Sequence, residues 1–211
     1  MKINSRETLR FITFLAGVML IGLGVSLMNK SGLGLGPWNV TDANLELWIG
    51  VTLGQASIMH TLVVITLVSI LNKNPKYYLS LITTALVGLA IDLWNYTILG
   101  GLLPQSLFEQ IIFEIIGFLG ITMGLASILI TRYPAMVFDE LTLTIHRMFK
   151  HLTFPTIRIF IEFSGLGIAF IYSALGGFGL GALGWSPFVL AFCFGPAIHF
   201  FKQYFQRLVK W

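Results

Sequence analysis

Charged residues and cysteine are what this sequence has least of. Only 10% of its 211 residues are Asp, Glu, Lys or Arg, whereas 56% are apolar, and the mean hydropathy is +0.85. A soluble domain of this size does not need so much apolar surface, but helices that face lipid do. Cys193 is the single cysteine, which excludes a disulfide framework and a CxxC metal site. The sequence therefore predicts one membrane domain over residues 1–211, with the lipid bilayer as its surroundings.

Acidic residues are also scarcer than basic ones, nine against thirteen, and the formal net charge is +4. The basic residues stand in short groups between apolar segments, which is typical of membrane orientation rather than of nucleic-acid binding. Catalytic signatures are missing as well. Gly179–Gly184 matches GxGxxG by its letters, but no strand precedes it, and His146 and His151 lack a compact metal-ligand spacing. We therefore expect no enzyme activity, no catalytic residue, no cofactor or metal, and no nucleic-acid partner.

Six apolar segments approach the roughly 20 residues that a helix needs to cross the hydrocarbon core. The first could also be a signal peptide, but no small-x-small cleavage pattern follows Leu27, so we interpret it as a span. Two shorter segments, Pro37–Trp48 and Val137–Phe149, are too polar to face lipid, and we interpret them as re-entrant or interfacial half-helices. The six predicted spans are Phe11–Met28, Leu53–Leu71, Tyr78–Leu99, Leu107–Ile130, Ile157–Tyr172 and Leu183–Phe201.

The distribution of Lys and Arg favours six crossings. If the amino terminus is cytoplasmic and neither half-helix crosses, twelve of the thirteen basic residues lie on the cytoplasmic side and only Lys30 lies outside. If both half-helices crossed, Lys73 and Lys76 would lie outside. The sequence therefore predicts a multi-pass protein with both termini in the cytoplasm.

The chain resembles itself at an offset of about one hundred residues. Gly17 and Gly24 recur as Gly117 and Gly124, and Pro37-Trp38-Asn39-Val40 falls opposite Val137-Phe138-Asp139-Glu140. Each copy, residues 6–99 and 107–204, holds three spans and one half-helix, so an odd number of crossings turns the second copy upside down. The predicted fold is all-α, with six transmembrane helices and two half-helices arranged as two inverted three-span repeats.

Each half-helix carries polar residues at i, i+3 and i+7, a spacing that puts them on one helical face. If both faces line a shared aqueous cavity, they form a substrate-binding site. In the alternative interpretation, the first residue of each set caps its helix and the others face interfacial water. The six residues are Asn39, Asp42 and Glu46 in the first copy, and Asp139, Thr142 and His146 in the second.

Ionisable residues inside the spans are further candidates, because an intramembrane charge is costly and is often functional. Asp92 and Glu114 belong to the outer parts of their spans. Glu162 lies deeper, but Arg158 stands one turn before it and could satisfy it as an ion pair. His60 could be a hydrogen-bonded core histidine or part of a proton relay. Glu162 and His60 are the candidates for proton coupling.

Several short patterns resemble one bacterial family of integral membrane proteins, the YczE/YyaS/YitT type. Gly34-Leu35-Gly36-Pro37-Trp38-Asn39-Val40 resembles the Gly-x-Gly-Pro-Trp-Asp signature of its YczE-like branch, and Thr52-x-Gly54 is similar to the Thr-x-Gly turn that follows. Arg158 and Glu162 resemble an Arg-x-x-x-Glu pattern, and Gly195-Pro196 a closing Gly-Pro. The resemblance implies a multi-pass protein of the bacterial inner (plasma) membrane, without a settled activity.

Two positions depart from that family pattern. Asn39 stands where the family usually has aspartate, and Ala135-Met136-Val137 lacks the second Gly-Pro, although Asp139 keeps the acid expected there. If the paired acids of the family bind a cation, this chain keeps one of them.

The leading hypothesis for function is a permease or exporter of an unknown small solute, with the site between the half-helices and access alternating as one repeat rocks against the other. The alternative is a membrane protein that does not transport but stabilises or regulates a partner protein. In that case Arg147, Lys150 and His151 would face the partner or anionic lipid. A homo-oligomer, or a membrane or cytoplasmic protein partner, fits either hypothesis.

Overall fold

The computed structural model describes residues 5–134 and 136–209. This part of the chain is helical and contains no strand. Every segment that the sequence predicted as a span or half-helix overlaps one of its eight α-helices. These are α1 (Ser5–Ser31), α2 (Pro37–Ile49), α3 (Leu53–Asn72), α4 (Ser80–Asp92), α5 (Leu107–Thr131), α6 (Val137–Met148), α7 (Phe154–Gly176) and α8 (Ser186–Leu208).

Five helical stretches in the described residues are long and apolar enough to cross a membrane. They are α1, α3, α5, α7 and the stretch Pro75–Ile98, in which a 3₁₀ turn precedes α4 and a π-helical turn follows it. The sixth predicted span, Leu183–Phe201, falls on α8, which has 23 residues but is not among the five. His199, Lys202 and Gln203 make its second half less apolar.

The two longest helices, α1 and α5, pack antiparallel with their backbones in contact. A Cβ atom added to Gly17 would lie 2.8 Å from the carbonyl oxygen of Gly124, and one added to Gly24 would lie 2.5 Å from that of Gly117. Glycine is the residue that permits so close an approach of two membrane helices. These four glycines therefore set the distance between α1 and α5.

The two short helices pack between the longer ones, α2 against α7 and α3, and α6 against α3 and α7. Pro37 fits the first turn of α2, and Gly50 ends the helix in a left-handed conformation with φ of 73°. The rings of Trp38 and Phe138 stack with centroids 4.4 Å apart, so the amino-terminal ends of α2 and α6 meet. We call the two ends of the bundle the α2 end and the α6 end, after the half-helix whose carboxyl terminus lies there.

Apolar side chains are buried in two clusters, one mainly between α1, α4 and α5 and the other between α3, α6 and α7. Many large apolar side chains nevertheless face outward. Phe108 is 72% exposed, Val63 69% and Ile70 68%. Such an apolar exterior on long helices is expected where the surroundings are lipid tails.

Candidate functional site

A buried polar network joins α2, α3 and α7 through one side chain from each. Asp42 is 5% exposed, and its Oδ1 lies 2.6 Å from Nδ1 of His60. The other ring nitrogen, Nε2 of His60, lies 3.0 Å from the Tyr172 hydroxyl. The Tyr172 ring stacks on Trp48 with centroids 5.3 Å apart, near the end of α2. The result is a continuous hydrogen-bonded chain from carboxyl to imidazole to phenol.

Protonation of this network follows from its geometry. A carboxylate accepts hydrogen bonds, so Nδ1 of His60 carries a proton toward Asp42, and in the neutral ring Nε2 accepts from the Tyr172 hydroxyl. Burial raises the pKa of the Asp42 carboxyl, while the contact with His60 opposes the shift. The pair can therefore take up or release one proton inside the protein.

Asn44 and Thr41 attach α2 to α7 by hydrogen bonds to main-chain atoms. Asn44 donates to the Ala169 carbonyl at 2.9 Å and accepts from the Ala182 amide at 2.8 Å. The Thr41 hydroxyl lies 2.7 Å from the Gly165 carbonyl. Neither residue was a predicted site residue, because partners in the main chain leave no pattern in the sequence.

Glu46 is half-buried and lies at the edge of a pocket of about 280 Å³ at the α2 end. The Tyr96 hydroxyl donates to Glu46 and accepts from the Leu53 amide at 2.9 Å. Burial raises the pKa of Glu46, which the hydrogen bond from Tyr96 opposes. The pocket is lined by α1, the loop between α1 and α2, α2 and the loop before α8: Met28, Asn29, Gly32, Gly34, Leu35, Ala43, Glu46, Leu47, Gly181, Ala182, Leu183 and Gly184.

Asp92 holds the start of α3 against α4. Its Oδ2 accepts from the Thr52 hydroxyl at 2.6 Å, and its Oδ1 accepts from the Gly54 amide at 2.8 Å. Thr52 also caps α3 by accepting from the Gln55 amide. A Cβ atom at position 54 would collide with the Gly88 carbonyl, so only glycine fits there. The Thr-x-Gly turn thus joins two helices, and Asp92 is its partner.

The polar residues of the second half-helix make local contacts. The Thr142 hydroxyl donates to the Phe138 carbonyl of its own helix at 2.9 Å, and Nδ1 of His146 donates to the Leu152 carbonyl at 2.9 Å. Asn39 of α2 is half-buried, with its amide beside Gly36, and α2 begins without a side-chain cap. The side chain of Asp139 lies outside the described part of the structure. That all six predicted residues line one cavity stays a prediction.

Glu162, the second candidate for proton coupling, is 6% exposed and pairs with Arg158 at 2.8 Å within α7. Both residues line a cavity of about 500 Å³ between α7 and α8, together with His199, Gly195 and Pro196 of α8. The Arg-x-x-x-Glu and Gly-Pro patterns therefore lie in one place, which their separation in the sequence did not indicate.

Among the side chains that the structure describes, no group of three His, Cys, Asp or Glu could hold a metal ion. The fold and its buried polar network define an all-helical membrane protein. The chain belongs to a family of unknown function, DUF6198, whose model matches residues 8–203.

Two similar proteins come from Bacillus subtilis (strain 168). The "Uncharacterized protein YyaS" is 28% identical over 201 residues, which cover 94% of this chain and 95% of that protein. The "Uncharacterized membrane protein YczE" is 29% identical over 89 residues, 42% of this chain and 41% of that protein. No solved structure matches the chain. The resemblance to the YczE/YyaS type is therefore confirmed.

Proposed function

We propose that this chain is a permease or exporter of a small solute, built from two inverted repeats, α1–α4 and α5–α8. The observation that carries the proposal is a set of reciprocal contacts at an offset of one hundred residues. Gly17 touches Gly124 while Gly24 touches Gly117, so each contact is the image of the other. Trp38 stacks on its own counterpart, Phe138.

Reciprocal contacts of this kind are what a twofold axis produces, since residue i of one half then meets residue j of the other and the reverse. Because α1 and α5 are antiparallel, the axis lies across them and so in the membrane plane. That arrangement, with short helices ending near its centre, is typical of secondary transporters. The proposal makes α8 the sixth span and places the α2 end outside.

The pocket beside Glu46 is the proposed solute site. It takes α1 and α2 from one repeat and residues 181–184 from the other, so movement between the repeats would open or close it. Its volume of about 280 Å³ suits a small molecule. Its polar side chains, Glu46 and Asn29, favour a cationic solute or one with hydrogen-bond donors.

Proton coupling is assigned to the Asp42–His60–Tyr172 chain. Asp42 stands one turn before Glu46 on α2, so a displacement of that helix by bound solute would also change the 2.6 Å contact between Asp42 and His60. Uptake of a proton by the pair and occupancy of the pocket would then depend on each other. Glu162, which lies toward the α6 end of the bundle, is the second candidate for proton coupling.

The test is a solute-stabilisation screen on the purified protein with small amines, amino acids and neutral metabolites. A ligand raises the melting temperature by mass action, and Glu46→Gln should abolish the shift for the solutes that produce it. Glu109→Gln is the matched control, because Glu109 is exposed on α5 and lies outside the pocket. If positive solutes shift both variants equally, the assignment of the pocket is wrong.

One observation favours the alternative, a membrane protein that stabilises or regulates a partner. Asp42 and Asn44, the central polar residues of α2, are already hydrogen-bonded within the protein. At the α6 end, Arg147, Met148 and Phe149 are exposed where a partner could bind. Two results together would support this alternative over transport. No solute would raise the melting temperature in the screen, and a membrane protein would co-purify with the native chain but not with the Arg147→Glu variant.

A further inference from the structure

A second buried carboxyl, Glu114 of α5, lies at the α2 end among residues of two other helices. It is 7% exposed, and its Oε2 is 2.7 Å from the hydroxyl of Ser31, the last residue of α1. Ser186, the first residue of α8, is 2% exposed and its hydroxyl interacts with the same carboxyl. The proposed function uses none of these three residues.

The hydrogen atoms around Ser31 can be counted. Its oxygen lies 2.7 Å from the Met28 carbonyl, 2.7 Å from Glu114 and 3.1 Å from the Leu33 amide, which donates to it. A hydroxyl has one hydrogen and cannot donate to both Met28 and Glu114. If Glu114 carries a proton, the carboxyl donates to Ser31 and Ser31 donates to Met28. Every contact is then a hydrogen bond.

The remaining carboxyl oxygen supports the same assignment. Glu114 Oε1 and the Ser186 hydroxyl are both buried, and neither meets hydrogen-bond geometry with any atom of the described residues. A buried carboxylate oxygen without a donor is costly, whereas the carbonyl oxygen of a neutral acid carries little charge and costs less. An ionised Glu114 would therefore leave Oε1 without a hydrogen-bond donor, and Oε2 would gain one only if Ser31 gave up its bond to Met28.

No neighbouring charged side chain compensates an ionised Glu114. Elements packed on α5 are α1 and α8, and the titratable side chains of the three helices nearest this end are Lys30, Glu109 and Cys193. Glu109 and Cys193 are exposed, and the charge of Lys30 acts on Glu46. Among the described residues, no salt bridge involves Glu114.

We propose that Glu114 is a proton-binding site that joins α1, α5 and α8 and holds its proton at neutral pH. The site where these three helices meet lies beside the solute pocket, because the Ser186 amide donates to the Leu33 carbonyl at 3.3 Å and Gly34 packs against Pro187. Loss of the proton leaves a buried charge between the three helices and loosens the wall formed by Gly34 and Gly184. The protonation itself requires no transport, so it can be tested even if the proposed function fails.

The test is infrared spectroscopy of the purified protein at neutral pH in H₂O and in D₂O. The native protein should show the carbonyl stretch of a protonated carboxyl, Glu114→Gln should lose it, and Glu109→Gln should keep it. Ser31→Ala should shift the band, since the acid loses its hydrogen-bond acceptor. This variant also decides the matter if Glu114→Gln does not fold.

Thermal unfolding gives an independent measurement. At neutral pH the folded protein holds the proton on Glu114, whereas the unfolded chain releases it once the pH exceeds the ordinary pKa of a glutamate. The free energy of unfolding should therefore fall as pH rises. Glu114→Gln should remove this part of the pH dependence, and Glu109→Gln should not. A native spectrum without a protonated carboxyl band, or one whose band is unchanged in both Glu114→Gln and Ser31→Ala, overturns the proposal.

Discussion

Asp42 and His60 depend on each other because both are buried away from water. A carboxylate at 5% exposure is tolerated only if a hydrogen-bonded partner stabilises it, and His60 supplies that partner at 2.6 Å. The sequence identified each residue as a candidate. Their pairing could not be predicted, since they stand 18 positions apart and Tyr172 stands 112 beyond His60. No local pattern encodes a contact between different helices.

Replacement of His60 by Ala should therefore destabilise the protein strongly. Removing the hydrogen-bonded partner of a buried carboxylate costs about 3–5 kcal/mol, because the carboxylate is left without compensation. The double variant Asp42→Asn/His60→Ala should recover part of this loss. The free energy of unfolding in detergent, measured with denaturant, checks both.

Tyr172→Phe is the matched control, because it removes only the terminal hydroxyl and keeps the ring that stacks on Trp48. Its expected cost is about 1 kcal/mol, the net value of one hydrogen bond. Equal losses for His60→Ala and Tyr172→Phe would contradict a charged or proton-sharing pair.

At the scale of the helices, the sequence predicted more. The predicted segments overlap the observed helices because hydropathy and Pro37 at a helix start are local signals. The sequence did not predict the π-helical turn at the end of one apolar stretch. The stretch Pro75–Ile98 ends in a π-helical turn that points Asn95 inward, where it accepts from Asn29 at 3.2 Å. A wider turn depends on such tertiary contacts and not on periodicity.

The contact between α1 and α5 gives a prediction of its own. Gly24→Ala should destabilise the protein, because the new Cβ atom would lie 2.5 Å from the Gly117 carbonyl and force two backbones apart. Gly167→Ala, in the middle of α7, is the control, since no atom lies within 4 Å of its Cβ position. Alanine is favoured over glycine in a helix by about 1 kcal/mol, so the control should be neutral or stabilising. Melting temperatures in one detergent compare the two variants.

At the scale of the whole molecule, α1–α4 and α5–α8 make reciprocal contacts but do not carry equivalent polar residues. Positions one hundred residues from Asp42, His60 and Tyr172 hold Thr142, Phe160 and Asn72, and Asn72 instead donates to Thr144 at 2.7 Å. The hundred-residue similarity identified the repeated glycines, but that they bring α1 and α5 into contact is known only from the structure. The similarity did not indicate that the first half alone supplies the buried carboxyl–imidazole pair, with Tyr172 of the second half as its phenol partner, since the matching polar faces of α2 and α6 suggested equal roles.

The opposed half-helices make the final prediction, about their orientation in the membrane. Leu47 near the end of α2 and Met148 at the end of α6 are each 56% exposed, so they are matched reporters. In a Cys193→Ser background, which removes the exposed native thiol, Leu47→Cys should react with a membrane-impermeant maleimide added outside intact cells. Met148→Cys should react only after the cells are opened, because the proposed fold places three spans between the two half-helices. Labelling of both positions from the same side would rule out inverted repeats, and with them the axis on which the proposed transport depends.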